Sequence, residues 1–345
     1  MNLGASLRKS LAKSPRFARI YRKLRGSQPA TAPTVAIQSA KPRKKRKRPA
    51  LRRFELALPT RDDAEPQRTL AWEAPRKLTI PKALERDGLA KYEPETLACF
   101  MALVDVVRPG PVWDIGANVG MYGLLAASLS GRSVAAFEPT PETAAVARKV
   151  FAANGLRAEV YQWGLADQEG HATLYLSSSS DSSNSMLSGF REATGAITVP
   201  VRTIDRLVRE GRTPPVILKI DTETTEPAIL RGASELIAHH RPWILCEALP
   251  GRSEAELMDA MRAHNYTWHL VADEVPYAAR SPIEGDVKYY MWLLAPEPIP
   301  QNLWDSMIFW RQRLKLCTPD AVAEVVASQQ VPDSDRVQHE STSLT

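Results

Sequence analysis

The run VWDIGANVGMYGLLAA at residues 112–127, followed by the apolar stretch Ser133–Phe137 and then Glu138, constrains this chain more than any other segment. It reads as a buried strand, a tight turn of small residues, a helix, a second strand and a carboxylate at that strand's end. Such a βαβ opening holds a nucleoside-bearing ligand at the strand ends. Gly116 and Gly120 let the backbone bend sharply and approach a ligand closely. Asp114 ends the first strand, where a carboxylate accepts hydrogen bonds from a ligand amine or orders the loop. Glu138, 24 residues after Asp114, is placed to receive both hydroxyls of a ribose. A dinucleotide site would show G-x-G-x-x-G, whose middle glycine lets a pyrophosphate sit on the helix terminus. Here the middle position is Asn118, and the spacing of Gly116, Asn118 and Gly120 suits a nucleoside ligand without phosphate.

The rest of the chain continues the alternation. Residues 93–107 read as a helix leading into the first strand, after an irregular opening at 55–90. Pro141 starts a helix that Asn154-Gly155 ends. Strands are expected at 157–162, 171–176, 196–201, 216–220, 243–247, 266–271 and 287–294, with helices at 226–238, 253–264 and 303–316. This pattern predicts an α/β fold with a mainly parallel sheet and helices on both faces.

Charge divides the chain. Residues 1–53 hold 17 Lys or Arg and no acid, whereas the remainder holds 28 basic against 39 acidic residues. The sequence therefore predicts a basic, largely disordered arm over 1–54, containing an amphipathic stretch (Leu3 to Leu24) and the polycation KPRKKRKR at 41–48. Such an arm can attract an anionic membrane surface or an acidic partner. A folded domain is expected over 55–296, then a C-terminal helix and an unstructured tail over 297–345. Cys99, Cys246 and Cys317 are odd in number and widely spaced, which argues against a disulfide framework or a zinc site. With no apolar run long enough to span a bilayer and no signal-peptide pattern, the expectation is a cytoplasmic protein, peripheral at a membrane if the arm docks there.

Several short motifs occur in a fixed order: VWDIGANVG, AFEPTPE, GLADQEG, SDSSNS, LKIDTETTEPAILRGA and RPWILCE. Over residues 92–249 this order resembles the FkbM-type S-adenosylmethionine-dependent methyltransferases. The resemblance implies a class I, Rossmann-like methyltransferase fold and O-methylation, often of a sugar hydroxyl in a glycan or secondary metabolite. It implies that Asp114, Gly116, Asn118 and Gly120 form the first cofactor motif, that Glu138 binds the ribose and that Asp167 approaches the adenine. Tyr92 and Glu93 lie in a stretch that often precedes the domain in similar sequences. Many members read K-I-D-x-E-G-A-E where this chain has Lys219-Ile-Asp221-Thr-Glu223-Thr224-Thr225-Glu226, so the acids are kept and a Gly-Ala pair has become Thr-Thr.

Asp221 and Glu223 fall just past the end of a buried strand, the sheet edge where open α/β folds hold ligands. They are the candidate catalytic pair, as general base for an acceptor hydroxyl or as its hydrogen-bonding partner. The alternative for Asp221 is a helix cap. Two acids make a thin case for a divalent metal such as Mg²⁺, so no metal ligand is assigned. Asn184 and Ser185 in the serine-rich loop, and Glu247 at the end of ILCE, are weaker candidates for contacting the acceptor. The acceptor is expected to be a small molecule or glycan. Two rivals remain at this level: a nucleic-acid methyltransferase using the basic arm, disfavoured by the net acidic folded part, and a non-enzymatic protein with a degenerate methyltransferase fold.

Overall fold

The computed structural model describes residues 50–65 and 67–329. The basic arm up to residue 49 and the tail beyond 329 lie outside the described residues. The chain opens with an antiparallel hairpin of β1 (Leu51–Ala57) and β2 (Thr69–Pro75), followed by α1 (Thr79–Asp87) and α2 (Pro94–Val106). The first strand thus begins inside the stretch assigned to the arm, and the opening expected to be irregular contains ordered structure. Its cause is burial: Leu56, Ala57, Leu70, Trp72 and Ala74 join the core and outweigh the charged residues between them.

The central unit then runs β3 (Val112–Ile115), α3 (Met121–Ser130), β4 (Val134–Phe137), α4 (Pro141–Ala153) and β5 (Glu159–Tyr161). β6 (Gly164–Leu165), β7 (Gly170–Ser177) and β8 (Ala193–Arg202) follow, and then α5 (Ile204–Arg209) and β9 (Ile217–Ile220). The remaining elements are α6 (Glu226–Arg231), α7 (Ser234–His240), β10 (Trp243–Glu247), α8 (Glu254–Met261), β11 (Thr267–Leu270), β12 (Met291–Ala295), α9 (Gln301–Leu314) and α10 (Pro319–Gln329). The seven-stranded sheet has the order β11-β12-β10-β9-β3-β4-β5. β9, β10, β3, β4 and β5 pair in parallel, and β12 runs antiparallel to both of its neighbours.

The parallel strands β3, β4, β9 and β10 are buried along their whole length, as strands covered by helices on both faces must be. Side chains alternate between two cores. Val112 and Ile217 face α2, α3 and α9, whereas Trp113, Ile115, Leu218 and Ile220 face α5 to α8. The segments at 171–176 and 196–201 do form strands, but in a separate three-stranded sheet, β6-β8-β7. The helix expected over 226–238 is two, broken at Gly232, where a Cβ would meet the Ala166 carbonyl oxygen at 2.0 Å. α9 is an integral layer rather than an appendage: it packs on α2, with Leu303, Met307 and Trp310 in the core and Arg311 paired with Glu95 at 2.7 Å.

From β3 the chain builds outward to β4 and β5, then crosses back to place β9 and β10 on β3's other side. The ends of β3 and β9 therefore flank a topological switch point, and the crevice of an open α/β sheet lies there.

Candidate active site

A cleft opens at that crevice, with about 80 Å³ enclosed and about 850 Å³ in all when its open mouth is included. Its lining includes Ile115 to Asn118, Glu138, Trp163, Lys219 and Asp221, together with Tyr92, Glu93, Asp181 and Asn184.

The turn after β3 is shaped by what it must pass. Gly116 has φ +75°, and a Cβ there would lie 1.9 Å from the carbonyl oxygen of Asp221. Only glycine lets the two strand ends come this close. The next strand locks the turn, since Gly116 N–H and Ala117 N–H both donate to Phe137 O, at 2.9 and 3.1 Å. Asn118 also adopts positive φ, +50°, and its N–H donates to Glu138 Oε2 at 2.8 Å. Thr140 N–H donates to the other carboxylate oxygen, Oε1, at 2.8 Å. Glu138 is thus gripped by two backbone amides, and burial nevertheless raises its pKa because those hydrogen bonds only partly offset desolvation.

Asp114 and Lys219 are register partners on the adjacent strands β3 and β9. Asp114 is fully buried, and its Oδ2 accepts from Gly123 N–H at 3.1 Å. Burial pushes its pKa up to about 6 against the opposing pull of Lys219. Lys219 Nζ lies 3.0 Å from Asp221 Oδ2 and 4.6 Å from the centre of the Tyr122 ring. Burial alone would lower its pKa, but the Asp221, Asp114 and Glu93 carboxylates outweigh that and hold it above the usual lysine value. Tyr122 in turn donates to Glu93 Oε2 at 3.0 Å. A cation ringed by three carboxylates is therefore the electrostatic centre of the cleft. Sequence reasoning gave Lys219 no role; the available signal was a single charged residue inside the otherwise apolar strand ILKI.

The loop after β9 is unusual. Glu223 and Thr224 have φ of +59° and +87°, which side-chain-bearing residues rarely adopt. Glu226 holds this shape from below: its Oε1 accepts from Thr222 N–H at 2.7 Å, Thr222 Oγ1 at 3.0 Å and Thr224 N–H at 3.3 Å. Burial, with help from nearby Asp221, pushes the Glu226 pKa up to about 7. Glu226 was read only as part of the motif, and its clasp on the loop is a second feature the sequence did not reveal. Glu223 is buried and faces Arg191, with Oε2 3.3 Å from Nη2.

The structure brings Gly116, Asn118, Glu138, Asp221, Glu223 and Asn184 to the cleft wall, together with Tyr92 and Glu93. Asp114 and Gly120 support the turn, Gly120 at φ +84° against Phe151 and Ala147. Three candidates lie elsewhere. Asp167 is not in the cleft wall: it pairs with Arg231 at 2.9 Å, and Trp163 with Gly164 and Leu165 of β6 take the wall position. Ser185 is buried behind the wall, where its hydroxyl donates to Glu223 O at 2.7 Å and accepts from Leu187 N–H at 3.0 Å, so it braces the loop. Glu247 is buried at the end of β10, one strand beyond β9, and does not line the cleft.

Two buried oxygens of the turn, Asp114 Oδ1 and Asn118 Oδ1, have no hydrogen-bond partner among the described residues. An orphaned buried acceptor is costly, and here two of them sit beside a cradle that a Cβ would fill. They fit a ligand rich in N–H and O–H donors. Among the described residues no group of three or more His, Cys, Asp or Glu side chains could hold a metal ion, and no helix is long and apolar enough to cross a membrane.

Residues 114–267 match the family model of the Methyltransferase FkbM domain. The chain is 34% identical over 83 residues to the ribosomal protein L11 methyltransferase of Geobacter metallireducens, which is 24% of this chain and 28% of that protein. It is similar to the FkbM methyltransferase structure from Methylobacillus flagellatus (TM-score 0.38, 17% identity, 59% of this chain and 50% of that one). A 16S rRNA N2 G1207 methyltransferase of T. thermophilus, in complex with AdoMet and guanosine, gives TM-score 0.37 at 14% identity, covering 71% and 50%. The chain spans under a third of the curated relative it matches and about half of these solved chains.

Proposed function

We propose that this protein, whose residues 114–267 match the family model of the Methyltransferase FkbM domain, is an S-adenosylmethionine-dependent O-methyltransferase acting on a hydroxyl of a sugar, glycan or secondary metabolite. The observation that carries the reading is the Glu138 carboxylate, held by the amides of Asn118 and Thr140 beside the Gly116 cradle. Its remaining lone pairs can accept from a ribose diol. Trp163, Leu165 and Phe137 supply a largely apolar wall for the purine.

Bound in this cleft, S-adenosylmethionine supplies a methyl group already activated on a sulfonium. The chain's own residues then have two tasks, alignment and proton removal. Asp221 projects from the end of β9 and is fixed by Lys219 at 3.0 Å, so it can hold an acceptor hydroxyl and take its proton. Glu223 sits on the same loop, and its strained backbone sets its direction. The carboxylates of Glu93, Asp114 and Asp221 favour positive charge in the cleft. The loop reads Asp-Thr-Glu-Thr rather than the N-P-P-[YF] of amino-group methylation, which supports an oxygen acceptor. The net acidic folded part argues against a polynucleotide acceptor.

The test is mass spectrometry of candidate glycans and metabolites incubated with the protein and methyl-labelled cofactor. A gain of one labelled methyl on oxygen is expected. Labelling only of RNA or of protein nitrogen would refute the oxygen-acceptor reading.

A further inference from the structure

Among the described residues, Lys219 is the only cation lining the cleft, and its position along the ligand can be worked out. Glu138 at the end of β4, and Trp163 and Leu165 just beyond β5, mark where a nucleoside's ribose and base would lie. Any tail carried on the ribose must then run over β3 toward β9, because the sheet order is β5-β4-β3-β9. Two inter-strand spacings amount to about 10 Å, the reach of an amino-acid tail carried on the ribose 5′ position. Lys219, Glu93 and Tyr122 line the cleft at that far end.

A buried ammonium has three N–H donors. Among the described residues the hydrogen-bond acceptor for Nζ is Asp221, and the Tyr122 ring face covers another side. Donor capacity remains, and the small exposed part of the side chain, 4%, belongs to a residue that lines the cleft. A lysine kept charged in such surroundings is suited to an anionic ligand group.

We infer that Lys219 is the counter-ion for the carboxylate of the cofactor's amino-acid tail, with Glu93, which also lines the cleft, facing the tail's ammonium. This rests on the S-adenosylmethionine reading above. It assigns the lysine a recognition role distinct from steadying Asp221.

Decarboxylated S-adenosylmethionine keeps the nucleoside, the sulfonium and the amine and lacks only the carboxylate. Calorimetry on the full chain should show it binding at least tenfold more weakly than S-adenosylmethionine. In Lys219→Met the two affinities should converge, chiefly through loss for the carboxylated ligand, and Lys219→Arg should keep the preference. Equal binding of both ligands by the parent protein overturns the assignment and leaves the cofactor reading intact, and it needs no variant to fold. Equal losses for both ligands in Lys219→Met also overturn it, since a merely structural lysine would behave that way. Failure of the parent protein to bind either ligand removes the cofactor reading itself, and this assignment with it.

Discussion

Gly116 passes so close to Asp221 that a single added methyl carbon would lie 1.9 Å from the Asp221 carbonyl oxygen. The glycine turn after β3 and the strand end that carries the candidate base are thus packed as one unit. They are also joined by the hydrogen bond from Asp221 N–H to Ile115 O, at 3.1 Å. Gly116→Ala should therefore do two kinds of damage. Overpacking and the left-handed backbone together predict a loss of about 2–4 kcal/mol in denaturant unfolding. Any folded fraction should bind S-adenosylmethionine poorly. A variant as stable as the parent would show that the two segments are not tightly packed.

Asp221→Asn keeps an oxygen for Lys219 but cannot take a proton. Turnover should fall by about 10²–10⁴-fold, the range for loss of a general base, while cofactor affinity changes little. A parallel fall in cofactor affinity would mean that Asp221 acts mainly in binding.

Glu226 predicts a pH dependence. Its folded pKa, about 7, is raised above the ordinary carboxylate value of 4.5, so the native state holds this proton more tightly than the unfolded chain. Stability must then fall as pH rises from about 4.5 to about 7, and level off above. Glu226→Gln keeps an acceptor for Thr222 N–H and should flatten this part of the profile, read by chemical denaturation at several pH values. Asp114, pushed up to about 6, contributes in the same direction, so part of the slope should persist. An unchanged slope in the variant would contradict the assignment.

Thr224 sits at φ +87° with its hydroxyl buried and without a hydrogen-bond partner among the described residues. Glycine would adopt this conformation without strain. Thr224→Gly should raise stability by about 1 kcal/mol, since the relieved strain exceeds the entropy cost of glycine. Thermal melting checks this, and a lowered Tm would show that Thr224 packing outweighs its strain.

The features of the site that could be read from sequence are those written locally. The buried runs VWDI, VAAF and ILKI, the glycine turn between them and Glu138 after the second run all follow from short-range pattern, and the sheet brings them to one crevice. What escaped depends on distant pairing. Lys219 acquires its meaning only when β9 lies beside β3 and sets it against Asp114. Asp167 sits in the expected turn, but Gly232 lets that turn lie against α6 and α7, and Arg231 takes the carboxylate outward. Ser185 is drawn inward by the Glu223 carbonyl, 38 positions away in the chain. The β1–β2 hairpin was obscured because β1 carries Arg52, Arg53 and Glu55 within seven residues, and the strands pack on helices that include α4 and α10, far along the sequence.

The central claim is that Glu138 grips the ribose of a sulfonium nucleoside, and isothermal titration with S-adenosylmethionine measures it most directly. One molecule should bind per chain, and Glu138→Ala should weaken binding by about 10–100-fold, the worth of hydrogen bonds to a charged acceptor. No heat of binding by the parent protein, or equal affinity in the variant, would contradict the account.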